Sequence, residues 1–118
     1  MNLAAELKRL VNTFTWSVNG WRAAWTTEKS LRQWLVINIL SVALAFYLDL
    51  RTGERALVVA LGLLIMAAEL FNTAIEELVD HISEERHPRL GKIKDCGSAA
   101  VALTALAGGL AWVVILID

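Results

Sequence analysis

Between residues 97 and 117 no side chain carries a charge, and this stretch constrains the fold more than any other part of the chain. Roughly 17 to 25 apolar residues cross the hydrocarbon core of a bilayer as a helix. A helix can do so because it satisfies its own backbone donors and acceptors where no water is present. Two further runs have the same character, since residues 34–48 and 56–68 are also uncharged. The composition agrees with three spans. Hydrophobic residues make up 57% of the chain and the mean hydropathy is +0.54, above what a soluble domain of this size usually carries. A length of 118 residues predicts one domain, 1–118, with spans at about 30–48, 56–80 and 95–117.

Residues 3–27 have a different pattern. Leu3, Leu7, Leu10, Val11, Phe14, Val18, Trp21 and Trp25 recur at helical spacing, with Lys8, Arg9, Asn12, Asn19 and Arg22 elsewhere around the wheel. A Trp-rich apolar face beside basic residues suits a helix lying in the membrane interface. The expected fold is therefore an all-α membrane protein, an N-terminal amphipathic interfacial helix followed by three transmembrane helices. Residues 49–55 read as a short polar turn in which Gly53 can take a positive φ. Residues 83–92, which contain the only proline, read as the loop before the last span. Ser98, Ala102, Ala105 and Gly109, with Gly108 adjacent, form a small-residue face suited to close helix packing within or between chains.

Lys and Arg counts set the orientation. The N-terminal region up to Arg32 carries Lys8, Arg9, Arg22, Lys29 and Arg32, and Arg86, Arg89, Lys92 and Lys94 precede the third span, whereas the opposite side has only Arg51 and Arg55. The positive-inside rule then predicts a cytoplasmic N-terminus and a cytoplasmic 83–96 segment. The first residues lack a long apolar run and a small-residue cleavage site, so no removable signal peptide is expected. No basic patch with interleaved aromatics points to nucleic acid. Cys96 stands alone, which excludes an internal disulfide and a cysteine metal cluster within one chain.

One stripe breaks the apolar character of the second span. At about 100° per residue, with Glu69 at zero, Asn72 falls at about −60°, Glu76 at about −20° and Asp80 at about +20°. All four lie on one side of the helix. Glu69 directly follows the uncharged run 56–68, at a depth where a lone carboxylate costs roughly 2.5 kcal/mol or more. A metal, a cation or a water-filled site could offset that cost. The predicted topology brings Glu28, the stripe, Lys94 and Asp95 to one cytoplasmic layer. Carboxylates suit Mg²⁺, which takes one or two of them and completes its shell with water and phosphate oxygens, and Glu28 with Glu76 is the preferred pair. Lys94, read as lying beside the start of the third span, offers a point charge for phosphate, helped by the positive helix end. His81 and His87 lack the spacing of a helical metal pair. The phosphate loop, nucleophile elbow and zinc-helix motifs of soluble enzymes are absent.

The run from Glu69 through Leu70, Phe71, Asn72 and Glu76 to Asp80, followed by residues 94–101 beginning Lys94, Asp95, Cys96, Gly97 and Ser98, closely resembles the signature of the small prokaryotic integral-membrane diacylglycerol kinases. Residues 19–28 and 31–33 are similar to that family as well. The resemblance implies a trimeric bundle, a homotrimer of three-span protomers with active sites shared between chains in a bacterial inner membrane, N-terminus and site cytoplasmic. It implies transfer of the ATP γ-phosphate to the primary hydroxyl of diacylglycerol, giving phosphatidic acid, with Mg²⁺ as cofactor. Carried over residue by residue, Glu69 is the general base and lies with Ser98 on the lipid-substrate side. Glu28 and Glu76 hold the metal. Asn72 positions the phosphate end of the site, Lys94 contacts the nucleotide phosphates and Asp95 orients neighbouring groups. Arg9, Ser17, Glu28, Gln33, Glu76, Asp80, Glu85, His87, Lys94 and Asp95 form the implied nucleotide set. Trp16 and Arg86 stand where the pattern has tyrosine, and Asn12 where it has lysine, so no nucleotide contact carries over to them. Undecaprenol kinase, a sister group with a polyprenyl acceptor, is the alternative enzyme. A small oligomeric cation transporter is the alternative from another class, although residues 99–117 offer no charge to carry an ion across. A structural membrane subunit would leave Glu69 and Asn72 unexplained.

Overall fold

The computed structural model describes residues 2–118, so that Met1 of the expected domain lies outside the described residues. Nearly all of the described chain is helical, in four segments: α1 (Leu3–Thr27), α2 (Lys29–Tyr47), α3 (Thr52–Ile82) and α4 (Pro88–Ile117). The last three are long and apolar enough to cross a membrane. At about 1.5 Å per residue α2 spans about 28 Å, close to the hydrocarbon thickness, whereas α3 and α4 reach about 45 Å and must project beyond it. The protein is thus an all-α membrane protein, as the apolar runs predict.

Helix α3 is the centre of the fold, packed against α2 on one side and α4 on the other. Helix α1 starts under the Asn2 side chain, which accepts the Ala4 and Ala5 N–H groups at 3.1 and 3.4 Å. It meets the other helices only near its C-terminal end, where Ala24 is buried and Trp21 and Trp25, stacked with centroids 5.8 Å apart, pack against Leu31, Ile65, Met66 and Val101. Its first four turns leave Leu3, Leu7, Leu10 and Phe14 exposed, the face an interfacial helix would sink into lipid. The molecule measures 48 × 47 × 26 Å.

The connections are shorter than the sequence pattern implies. The expected 49–55 turn becomes the four-residue connection 48–51, because α2 ends at Tyr47 while Thr52, Gly53, Glu54 and Arg55 already belong to α3. Gly53 has no positive φ; as part of a helix it needs none. Two side chains close this corner. The Glu54 carboxylate accepts the Arg51 N–H at 2.9 Å, and the Arg55 guanidinium donates to the Ala45 and Leu48 carbonyls at 2.8 and 3.4 Å while lying 5.0 Å from the Phe46 ring centroid. It satisfies the Ala45 carbonyl, which the end of α2 leaves open, and shares the Leu48 carbonyl with the Leu50 N–H. The 83–92 loop likewise reduces to residues 83–87. Pro88 is the first residue of α4, where its missing N–H costs nothing, and His87 caps it by accepting the Arg89 N–H at Nδ1, 3.3 Å.

Polar side chains also tie the spans together. Asn38 of α2 donates through Nδ2 to the Gly62 carbonyl of α3 at 2.9 Å. Trp112 of α4 donates through its indole N–H to Ser41 of α2 at 2.8 Å. Of the small-residue face of α4, Ala105 is half-buried, while Ser98, Ala102 and Gly109 stay exposed. Within the chain α4 instead buries Gly97 and Val101, one residue round from that stripe.

Candidate functional site

A single residue joins α1 to α2. Glu28 has extended backbone angles, φ −108° and ψ 103°, and serves as the last cap of α1 and the first of α2. Its N–H closes α1 on the Ala24 carbonyl at 2.7 Å, and the Arg32 guanidinium donates to the Trp25 carbonyl across the same corner. The Glu28 side chain makes no capping bond and is free to act elsewhere. It lies near enough to Glu69 for the two carboxylates to interact.

The α3 stripe runs from inside to outside. Glu69 is 6% exposed, the one buried charged side chain among the described residues. Asn72 and Glu76 are half-buried and Asp80 is exposed. Asn72 donates through Nδ2 to Glu76 Oε1 at 3.1 Å, one turn along the helix. Glu69 lies within electrostatic range of the carboxylates of Glu76 and Glu28 and near the indole of Trp34. Trp34 escaped the sequence reading because it sits in an apolar run and reads as a span residue. Three carboxylates thus share one neighbourhood. They do not close into a cage, since no three His, Cys, Asp or Glu side chains among the described residues have the geometry to hold one ion.

The stripe continues into an open cleft. Asp80 accepts Lys94 Nζ at 3.0 Å, a bridge between α3 and α4. Beside it a hollow of about 670 Å³ lies between the two helix ends, lined by Asp80, Glu85, Arg86, His87, Lys94 and Asp95 among others. That volume is in the range of small-molecule sites. Five members of the expected nucleotide set, Asp80, Glu85, His87, Lys94 and Asp95, therefore meet in one cleft. Lys94 does not reach it as the sequence suggested. With α4 starting at Pro88, Lys94 lies well inside the helix, beyond the first turn where the helix dipole acts. It contributes as a side-chain charge only. His87 acts on its own helix as a cap and lines the cleft as well.

Other expected residues stand outside this cleft. Arg9 is exposed and pairs with Glu6 on α1 at 3.1 Å. Ser17 turns its hydroxyl back to the Thr13 carbonyl at 2.9 Å. Gln33 and Ser98 are exposed. Gly97, to which the sequence assigns no role beyond its place in the family signature, lies buried against α3, and Asn72 Oδ1 fills the space that a Cβ there would need.

Comparison with known proteins places the chain among relatives along most of its length. The family profile described as prokaryotic diacylglycerol kinase matches residues 15–116. A diacylglycerol kinase of Pseudomonas aeruginosa is 44% identical over 113 residues, covering 94% of this chain and 90% of the relative. That of Escherichia coli K12 is 37% identical over 115 residues, covering 98% and 94%. The diacylglycerol kinase of Helicobacter pylori is 33% identical over 109 residues, covering 92% and 85%.

Proposed function

The chain belongs to the prokaryotic diacylglycerol kinase family and is a membrane-bound lipid kinase, and on that premise we propose how its own residues carry out the transfer. ATP is the phosphate donor that the family implies and diacylglycerol the acceptor for which the relatives are named. The undecaprenol-kinase and cation-transporter alternatives draw no support from these relatives.

The observation that carries the reading is the graded stripe, from buried Glu69 through Asn72 and Glu76 to exposed Asp80, leading onto Lys94 and the cleft. Glu69 accepts the proton of the primary hydroxyl of diacylglycerol. The hydroxyl oxygen bonds to the γ-phosphorus as the bond to the β–γ bridging oxygen breaks, so that phosphatidic acid forms and ADP leaves. Glu69 suits this part because it sits low in the stripe, where the glycerol end of a lipid can meet it while its chains stay in the bilayer. Lys94 and Asp95 receive the phosphates from the cleft side, with Asp80, Glu85 and His87 around the nucleotide. Lys94 must exchange its Asp80 partner for phosphate oxygens, which it can do because both groups are partly exposed. Ser98, one residue past Gly97, serves the lipid side.

Glu28 and Glu76 would hold a Mg²⁺ ion. The donor set fits, because it is all oxygen, and two carboxylates leave a hard octahedral cation the water and phosphate oxygens it prefers. Bound there, the ion would neutralise charge on the transferring phosphoryl group. Arg9, Ser17 and Gln33 lie outside the cleft of one chain, which favours a homotrimer whose neighbouring chains complete each site. The distribution of Lys and Arg favours a cytoplasmic site in the inner membrane.

The test is phosphate transfer from radiolabelled ATP to diacylglycerol by the purified protein in mixed micelles. Glu69→Gln should assemble normally and lose at least about 100-fold in kcat. A well-folded Glu69→Gln protein with full activity would sink the base assignment. Chelation of divalent cations should abolish turnover, and Mg²⁺ should restore it.

A further inference from the structure

Asn72 has one amide group to share between two neighbours. Its Nδ2 is committed to Glu76 Oε1 at 3.1 Å, which fixes the plane of the carboxamide and leaves Oδ1 facing α4. That oxygen is buried and has no hydrogen-bond partner among the described residues. What it faces is the backbone of Gly97, so closely that a Cβ at this position would overlap it. The other contacts are ordinary, since the same Cβ would stand 3.5 Å from Ile75 Cδ1. Gly97 is thus not small merely to bring two helices together. The space it leaves is filled by one polar side chain, in the one orientation that also holds Glu76. A Cα–H of glycine is a weak donor and offers the trapped oxygen partial compensation.

We propose that Gly97 is a positioning residue for the phosphoryl transfer. Its bare Cα acts as a wall that sets the Asn72 carboxamide, and through it orients the Glu76 carboxylate. This rests on the reading that Glu76 serves the metal and nucleotide end of the site. The chain of action is short: α4 backbone, Asn72 amide, Glu76 oxygen. An added methyl at position 97 must turn the amide, and a turned amide cannot keep its bond to Glu76. It also explains the polarity of this contact: an apolar residue at position 72 would fill the same space without holding a carboxylate.

The experiment is a double-mutant cycle on the full chain in mixed micelles, with Gly97→Ala, Asn72→Ala and the pair. Gly97→Ala is expected to lower kcat about tenfold or more, as small misplacements of reacting groups do, with KM for diacylglycerol within about twofold. Mn²⁺ binding in the presence of a non-hydrolysable ATP analogue, followed by electron paramagnetic resonance, should weaken in Gly97→Ala and not in a Gly109→Ala control. In the Asn72→Ala background, Gly97→Ala should add less than about twofold, because the wall then has nothing to set. Should Gly97→Ala alone fail to assemble, the double variant, which removes the overlap, should assemble and match Asn72→Ala in activity. Independent, multiplicative losses in the cycle, unchanged Mn²⁺ binding, or a double variant no better assembled than Gly97→Ala would overturn the proposal. Full activity of Asn72→Ala would instead overturn the underlying reading of the site.

Discussion

Two asparagines in this protein each fill the space left by a glycine on the next helix, and they use it differently. Asn38 of α2 lies against Gly62 of α3, where a Cβ would come 2.9 Å from Oδ1, and gives its Nδ2 to the Gly62 carbonyl itself. Asn72 of α3 lies against Gly97 of α4, gives its Nδ2 to Glu76 and leaves Oδ1 with no hydrogen-bond partner among the described residues. The first spends its amide on the partner helix and makes a joint. The second spends it on Glu76, the proposed metal ligand, and tolerates an acceptor left unsatisfied among the described residues. Such a group costs about 1–3 kcal/mol, which a joint alone would have no reason to keep. The same pairing of residues thus serves architecture in the N-terminal half of α3 and, on the proposed reading, site geometry in its C-terminal half.

The strongest way to break this comparison is to make both asparagines apolar. Asn72→Leu should reduce kcat by about 100-fold or more in a protein that still assembles. Asn38→Leu should leave kcat within about twofold and cost about 0.6 kcal/mol, a typical value for an interhelical hydrogen bond in a membrane protein. Turnover in mixed micelles and denaturant unfolding of the same preparations separate the two. Equal losses of activity would erase the distinction.

A smaller effect sharpens the architectural side. Gly62→Ala drives a methyl against Asn38 Oδ1 and should cost about 1–3 kcal/mol through overpacking. The folded fraction should keep its kcat, because Asn38 bonds to Gly62, about two turns along α3 from Glu69. A loss of kcat larger than the loss of folded protein would count against this division.

The smallest effect lies at the wet end of the stripe. Asp80→Asn frees Lys94 from its exposed partner and should leave the thermal midpoint unchanged, since exposed pairs contribute little. The readout is KM for ATP, expected to shift a few-fold with kcat largely kept. A large fall in kcat would move Asp80 into the reacting centre.

Much of this was legible in the residues alone. The three spans follow from uncharged runs, because lipid leaves a chain of this kind no alternative to the helix. Glu69 announced itself by its position directly after such a run, and the alignment of Asn72, Glu76 and Asp80 with it is a property of helical periodicity. Helix ends were harder. Pro88 read as loop although proline is at home in a first helical turn, and that shift of start moved Lys94 from a helix end into its interior. Arg9, Ser17, Gln33 and Ser98 were named through a family resemblance, and one chain does not gather them into the cleft.

What the sequence determined by itself is whatever depends on a residue and its neighbours along one helix: which segments enter lipid, which face of α3 is polar, and which residue of that face lies deepest. The tertiary structure alone decided which groups meet across helices: Lys94 with Asp80, Trp34 and Glu28 with Glu69, and Gly97 with Asn72. The physical reason is rotation. A helix rotated by one residue about its axis, some 100°, keeps its own pattern intact and changes every partner it has, and only the packing of α4 and α2 on α3 sets that angle.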